Sequence, residues 1–373
     1  MQTPDLKILN KGLDQLAIVD SYTSLQLERS LWEVGRMELH ASLFSKGAET
    51  LQPGNLVMID ERRTWEMTGI KKTEGNTLGL QVTGRELKGV LGQRLVIPDS
   101  KDDSHHFGWD RVPGVSDPDV AAETIIKHYV DKHAITTTDL KRALPGLVLA
   151  PDLARGMKTR WSERFRSLTE TLKDIGEFTG MGYRVTVDLA NKQFVFEVIP
   201  ERVQTEGSLH PVILSVDFNN IQTMDYQRDV SRDVTIAYAG GAGEDEDRLI
   251  QAVARNPTEA DLEGYDRRED WLDCGSIDEV DALIYEARYK LAQKEKVEFV
   301  TCEALPNATF AYLKDWDIGS VVTVQSHALG ISQAQKITAV KEVYEQGRVQ
   351  IIPTLGKRNK TILDEIRKSE VIS

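Results

Sequence analysis

The feature that most constrains this chain is a stretch that occurs twice. Gly319 to Gly356 reads GSVVTVQSHALGISQAQKITAVKEVYEQGRVQIIPTLG, and a fainter copy, GNLVMIDERRTWEMTGIKKTEGNTLGLQVTG, runs from Gly54 to Gly84. In each, a glycine opens a short apolar strand (Leu56 to Ile59; Val321 to Val324). A loop then leads to a second strand of the form apolar-Thr-small-apolar-Lys (Met67 to Lys71; Ile337 to Lys341). A glycine turns the chain (Gly75, Gly347), and a third strand (Leu78, Leu80, Val82; Val349, Ile351) ends at another glycine. Alternating apolar residues punctuated by turn glycines are the pattern of an antiparallel meander. Two copies separated by unrelated sequence fall short of a solenoid, which needs several stacked units. They predict two similar β-domains in one chain.

The 373 residues are enough for two or three domains with a substantial core. With 40% hydrophobic and 28% charged residues the composition is that of an ordinary soluble protein, and no apolar run is long enough to span a bilayer. The start, Met1-Gln2-Thr3-Pro4-Asp5, lacks the basic and apolar regions of a secretory signal, which predicts synthesis and folding in a cytoplasm. Cys274 and Cys302 are too few for a disulfide framework or a cysteine metal site and read as isolated thiols. A formal net charge of −13 argues against specific nucleic-acid binding, since affinity for phosphate rests on Lys and Arg.

Taken in order, Leu16 to Val19, Thr23 to Arg29 and Arg36 to Ala41 read as strands, with Gly35 at the bend between the last two. After the first meander, Pro98 to Pro118 is rich in Pro, Gly, Asp and Ser and reads as a long loop. Ser116 or Asp117 can cap a helix from Pro118 to about His133, with Val120, Ile125, Ile126, Tyr129 and Val130 apolar. A second helix, Ser167 to Thr179, carries Leu168, Leu172, Ile175 and Phe178 on one stripe, with Thr169 and Thr171 on other faces, and stops at Gly180. A hairpin follows, Tyr183 to Leu189 and Phe194 to Ile199. Strands at Val212 to Val216, Gln222 to Tyr226 and Asp233 to Ala239 are expected to return and complete the first β-domain. Leu249 to Val253 and Arg267 to Leu272 read as further strands. Ser276-Ile277-Asp278-Glu279 has the form of a capping box before a helix with Ile277, Val280, Leu283, Ile284, Ala287 and Leu291 inward. A strand at Val297 to Ala304 leads into the second meander, and Lys360 to Lys368 reads as a short amphipathic helix.

The candidate chemistry is thin. Gly240-Gly241-Ala242-Gly243 suggests a phosphate loop, but no Gly-Lys-Ser/Thr follows, and Glu244-Asp245-Glu246-Asp247 would repel phosphate. His105 and His106 with Asp102, Asp103 and Asp110 could be drawn as a metal cluster, yet adjacent histidines point apart and a solvated loop fits better. His128 and His133 do not share a helix face and lack the HExxH spacing. Glu244 and Asp247 as a glycosidase pair have nothing to raise one pKa. No Ser/His/Asp or Cys/His arrangement stands out. From the residues alone the chain is a β-rich multidomain protein with duplicated barrels and no visible active site.

From Phe218-Asn219-Asn220-Ile221 through Arg248, and on through Gly264-Tyr265-Asp266-Arg267-Arg268-Glu269-Asp270-Trp271-Leu272-Asp273, the sequence resembles siphophage and prophage tail proteins of the baseplate-hub type. That family carries a strand ending in a Gly-Glu-x-x-x-Arg turn and then an Arg-Arg-Glu strand. The Arg29 to Leu39 segment with Gly35, and the closing Gly319 to Gly356 meander, are similar to the same family. The resemblance is patchwise but runs from end to end.

It implies an α+β, β-rich, ring-forming fold: two similar tube-type β-barrel domains, the first interrupted by an inserted α+β domain. On this sequence they fall at 1–99 plus 211–243, at 100–210 for the insertion, and at 244–358 with a helix at 276–294, followed by a tail at 359–373. It further implies a homotrimer whose six barrels join a sixfold tail tube to a threefold tip, with DNA passing through. The partners would be a distal tail protein or tail tube above and a tip, fibre or receptor-binding protein below. The location would be the virion tail tip or baseplate, assembled in the host cytoplasm. Neighbouring subunits would cover the barrel edges. The loop Gly240, Gly241, Gly243, Glu244, Asp245, Glu246, Asp247, Arg248 is expected at the bore or a ring junction, and no catalytic residue, metal, cofactor, specific nucleic-acid binding or stable membrane insertion is expected. Two other classes have their own requirements. A tail-associated carbohydrate-binding adhesin would need exposed aromatics in a cleft, for which Trp109, Trp161 and Tyr183 are candidates. A peptidoglycan hydrolase would need a carboxylate pair or a zinc cluster.

Overall fold

The computed structural model describes residues 3–74, 79–98, 105–107, 120–275, 277–305, 309–345 and 347–357. The chain begins with β1 (Leu6–Leu9), β2 (Gln15–Val19), β3 (Ser24–Ser30), β4 (Arg36–Ala41), β5 (Leu56–Asp60), β6 (Arg63–Thr73) and β7 (Gly79–Glu86). It continues through β8 (His105–Phe107), β9 (Val120–Ala121), α1 (Ala122–Val130), β10 (Leu147–Leu149), β11 (Lys158–Thr159), β12 (Trp161–Glu163), α2 (Leu168–Thr179), β13 (Gly182–Asp188) and β14 (Gln193–Ile199). The remainder is β15 (Arg202–Gln204), β16 (Ile213–Ser215), β17 (Ile221–Asp229), β18 (Ile236–Gly240), β19 (Ile250–Ala254), β20 (Glu269–Asp273), α3 (Val280–Ala292), β21 (Val297–Ala304), β22 (Ser320–Ser326), β23 (Ile331–Glu345) and β24 (Arg348–Lys357). At 44% strand against 19% helix the protein is β-rich.

Both copies of the repeat are antiparallel meanders, β5-β6-β7 and β22-β23-β24, and they match down to single hydrogen bonds. Gly54 and Gly319 sit at φ +93° and +86°. Each donates its N–H, at 2.8 Å, to the residue before the shared threonine, Met67 and Ile337. The register then slips at that threonine, between Met67 and Gly69 in one copy and between Ile337 and Ala339 in the other. A bulge leaves one residue unpaired and bends its strand. The third strands align Gly84 with Leu355, so the closing glycine of the second copy lies one residue beyond its counterpart.

By their contacts the described residues form two compact units, one within 3–224 and 301–355, the other within 225–300 and 356–357. These divide the sequence differently from the expected boundaries. Both meanders lie in the first unit and in one sheet, ordered β24-β23-β3-β4-β7-β6-β5-β1-β2. The join is made by the 15-residue β23, which pairs with β22 through its first half and with β24 and β3 through its second. A repeated pattern specifies how each copy folds but not which strand sits beside it. The core under this sheet includes Leu6, Leu25, Leu39, Val57, Trp65 and Val82, all buried.

Charge is buried in the same unit. The Arg29 guanidinium, 1% exposed, donates to the Tyr312 hydroxyl at 2.8 Å and pairs with Asp317. Glu342, fully buried, accepts from Tyr312 at 2.7 Å, Tyr344 at 2.6 Å and Arg63 at 2.9 Å. A buried carboxylate is tolerated only with such a full set of partners. Lys88 is likewise buried, donating to the Ser30 carbonyl at 2.5 Å beneath the Tyr183 ring.

Within 100–210, α1 and α2 pack together beside the sheet β10-β14-β13. The α2 stripe Leu168, Leu172 and Ile175 is buried, and Gly180 takes the left-handed capping conformation at φ +75°. Thr171 departs from the expected outer face: it is buried, its hydroxyl donating to the Ser167 carbonyl at 3.1 Å. The first helix begins at Ala122, with Val120 in β9, while Ser116, Asp117 and Pro118 lie outside the described residues.

The return of the chain also differs from expectation. β16 does rejoin the first unit, alongside β22, but β18 does not. It forms the centre of the second unit's sheet, β19-β18-β20. One face of that sheet, with Ala237, Ala239, Val253 and Leu272, is buried with Leu283, Ala287 and Leu291 of α3. The expected capping box is not formed: Glu279 is itself the N-cap and makes no side-chain cap. Val280, in the first turn, is 41% exposed. Ser276 and the expected helix at 360–368 lie outside the described residues.

Candidate functional site

The loop from Gly240 to Arg248 joins β18 to β19. Gly241 donates to the Leu249 carbonyl and Leu249 to the Ala242 carbonyl, each at 2.8 Å, while Ala242 donates to Ile277 at 2.7 Å. The loop turns through Gly243 at φ +99° into a single helical turn, Asp245–Asp247. A Cβ on Gly240 would stand 2.4 Å from the Trp271 ring, one on Gly241 2.3 Å from the Ile277 carbonyl oxygen, and one on Gly243 2.3 Å from that of Asp247. The glycines therefore serve close packing and a left-handed turn rather than a phosphate.

Glu244, Asp245, Glu246 and Asp247 are exposed and form no ion pair with a described residue. Arg248, by contrast, is fixed. Its Nε donates to the Gly241 carbonyl at 3.2 Å, its Nη2 donates to Asp273 at 2.8 Å, and its guanidinium lies 5.2 Å from the centre of the Trp271 ring. The Gly275 N–H, helped by Arg248, holds the Asp273 carboxyl below its usual range against the opposing effect of burial. The loop is thus an acidic tip on a braced stem. With both carboxylates solvent-facing, Glu244 and Asp247 lack the apolar enclosure of a glycosidase acid.

The other expected positions fare as follows. Trp161 and Tyr183 are 5% and 0% exposed, so neither can line an open glycan cleft. Tyr183 packs against Phe196 with ring centres 6.0 Å apart. Trp109, Asp102, Asp103 and Asp110 lie outside the described residues, and His105 and His106 are described only as the backbone of β8, paired to β12. Among the described residues no group of three or more His, Cys, Asp or Glu side chains could hold a metal. No helix there is long and apolar enough to cross a membrane. His133 is buried beside Tyr129, with ring centres 5.9 Å apart.

One surface escaped the sequence reading. The outer face of β19-β18-β20 exposes Tyr238, Ile250 and Trp271. The signal was there in the alternation of small Ala237 and Ala239 with bulky Tyr238, which marks a strand with one buried and one open face.

Carried across the whole length, this fold is that of prophage tail proteins. It is similar to the 43 kDa tail protein of prophage MuSo2 from Shewanella oneidensis, at TM-score 0.60 and 12% identity over 94% of this chain and 98% of that one. A tail protein from Neisseria meningitidis MC58 matches at TM-score 0.57 and 14% identity over 95% and 97% of the two chains. The prophage tail protein gp18 from Listeria monocytogenes EGD-e matches at 0.54 and 12% over 99% of both. No curated protein sequence matches the chain.

The chain belongs to the Siphovirus ReqiPepy6 Gp37-like protein family, whose model matches residues 5–357. It is therefore a phage or prophage tail protein.

Proposed function

We propose that the protein is the structural hub of a phage tail tip or baseplate, a homotrimeric ring that joins a sixfold tail tube to a threefold tip and lets DNA pass. The observation that carries this reading is the atomic match of the two meanders. Gly54 and Gly319 make the same hydrogen bond ahead of the same bulge at Thr68 and Thr338. A chain with two equivalent β-elements, present three times, offers six similar elements to a sixfold neighbour while keeping threefold symmetry for a partner on the other side. On this reading each meander is the centre of a tube-type barrel, and neighbouring copies help to close it. A net charge of −13 keeps such a bore from holding DNA.

The acidic loop Glu244 to Asp247 then lies at the bore or a ring junction. The partners are a tail-tube or distal tail protein on one side and a fibre or receptor-binding protein on the other. The test is the particle mass in solution with electron microscopy of the same peak, alone and mixed with the flanking tail proteins. A threefold ring with a central hole is expected. A chain that stays monomeric with every neighbour supplied overturns the reading, and a map with Glu244 to Asp247 on the outer rim overturns the placement of that loop.

A further inference from the structure

The outer face of β19-β18-β20 has an arrangement the hub reading does not use. Strand register sets Tyr238 directly beside Trp271 on one side and Ala252 on the other, and sets Gly240 between Ile250 and Asp273. The opposite face is closed by α3, so the side chains of this row point outward, leaving Tyr238 37%, Trp271 46% and Ile250 49% exposed. The Trp271 ring lies against Gly240, where a Cβ would stand 2.4 Å from it, with the Arg248 guanidinium 5.2 Å from its centre, and Tyr238 stands between Trp271 and the small Ala252.

The rim is polar and already ordered. Arg267 Nε donates to Glu269 at 2.6 Å, the Tyr238 hydroxyl meets the same carboxylate at 3.4 Å, and Arg248 holds Asp273 at 2.8 Å. Two guanidiniums and two carboxylates thus stand around two aromatic rings with their charges cancelled. Each retains free N–H donors or oxygen lone pairs toward solvent.

We propose that this face binds a neutral saccharide, one or two pyranose rings lying on Trp271 and Tyr238 with their hydroxyls shared among Arg248, Asp273, Arg267 and Glu269. Two features favour that occupant. A polyhydroxylated ring has an apolar C–H face for the aromatics and edges that both donate and accept, which is what the paired rim offers. The open apolar patch is made by only three part-exposed side chains, Tyr238, Ile250 and Trp271. A stable protein partner needs about 800 Å² per side, and a rim of paired charges beside the acidic tip Glu244 to Asp247 gives no hold on an anionic polymer.

The experiment uses the full chain labelled with ¹⁵N at tryptophan, titrated with tetrasaccharides of glucose, of galactose and of N-acetylglucosamine. The Trp271 indole N–H, one of six, is assigned by its loss in Trp271→Phe. A saturable shift of that signal with at least one sugar is expected, with affinity at least tenfold weaker in Trp271→Ala and several-fold weaker in Glu269→Gln, a rim change that leaves the core intact. The proposal is overturned if none of the sugars moves the signal, or if both variants bind as the wild type does. It is equally overturned if Trp271→Ala lowers the association state in sedimentation, which would show that a second copy covers the face.

Discussion

Thr68 and Thr338 occupy the same bulge in the two meanders, and each sends its hydroxyl to the carbonyl of a threonine on the following strand, Thr83 at 3.4 Å and Thr354 at 3.3 Å. Each is also preceded by the acceptor of a left-handed glycine's N–H. A bond pattern kept through such divergent sequence belongs to the local geometry. The surroundings differ: Thr338 is 7% exposed, while Thr68 faces solvent.

That difference makes the opening glycines unequal. Alanine at Gly54 meets only the Lys11 side chain at 3.8 Å, so its cost is the left-handed backbone alone, about 1 kcal/mol. Alanine at Gly319 meets the Ile199 methyl at 2.9 Å and adds overpacking of about 1–3 kcal/mol. Urea denaturation of the two variants should place Gly319→Ala clearly below Gly54→Ala, and equal midpoints would contradict the account.

Glu342 joins β23 of one meander to Arg63 of the other and to Arg29 of β3, all within one buried group. Glu342→Ala leaves two guanidiniums without their shared partner and should cost about 3–5 kcal/mol. Replacing Arg29, Arg63 and Glu342 together with Met, Met and Leu should cost less than the three single changes added. Additivity in denaturation midpoints would show that the three do not act as a unit.

These charges mark where the sequence stopped being legible. The meanders, α2 with its Gly180 stop and the β13-β14 hairpin could be read because local spacing dictates them. The pairing of β3 with β23 could not, since it joins residues some three hundred positions apart through register alone. Nothing local announces that Arg29, Lys88, Glu123 and Glu342 are buried, because the partners that enclose them come from elsewhere in the fold. Gly35 read as a bend and does lie in the β3–β4 connection, but the sequence did not show that a Cβ there would lie 1.9 Å from the Glu28 carbonyl oxygen, so that the glycine also permits this close approach. Of the candidate loop, its exposed acidic tip was legible. The bracing of Arg248 by Asp273 and Trp271 was not, because these come from a different strand.

The two thiols should be silent in the native state. Burial pushes Cys302 up to about 12, and burial also raises Cys274, with the Lys290 ammonium 3.8 Å away opposing it. Only the thiolate is reactive. At pH 8 an aromatic disulfide reagent should label neither cysteine until denaturant is added, and then both. Rapid native labelling of Cys302 would contradict its placement in β21.

Gly240→Ala drives a methyl group into the Trp271 ring and should cost about 1–3 kcal/mol. The same change in a Trp271→Ala background should cost at least about 1 kcal/mol less, because the obstructing ring is gone. An undiminished penalty would mean that the backbone of β18, and not its neighbour, requires the glycine.

Glu123 gives the chain an acid-labile element. It is fully buried in α1, where burial works to raise its pKa. Hydrogen bonds from Arg155, whose Nε and Nη2 donate at 2.7 and 3.0 Å, and from Lys127 at 2.7 Å, outweigh that effect and hold it at about 2. The folded value lies below the unfolded 4.5. The folded state therefore binds fewer protons between these values, and the stabilisation is complete above pH 4.5 and lost as the pH falls toward 2. Its size is on the order of 3 kcal/mol. Glu123→Gln removes the charge at every pH, so the gap between wild type and variant in denaturant midpoint should be full at pH 6 and shrink progressively below pH 4.5. A gap that stays constant down to pH 3 would mean that the triad stabilises through shape and hydrogen bonding without regard to charge.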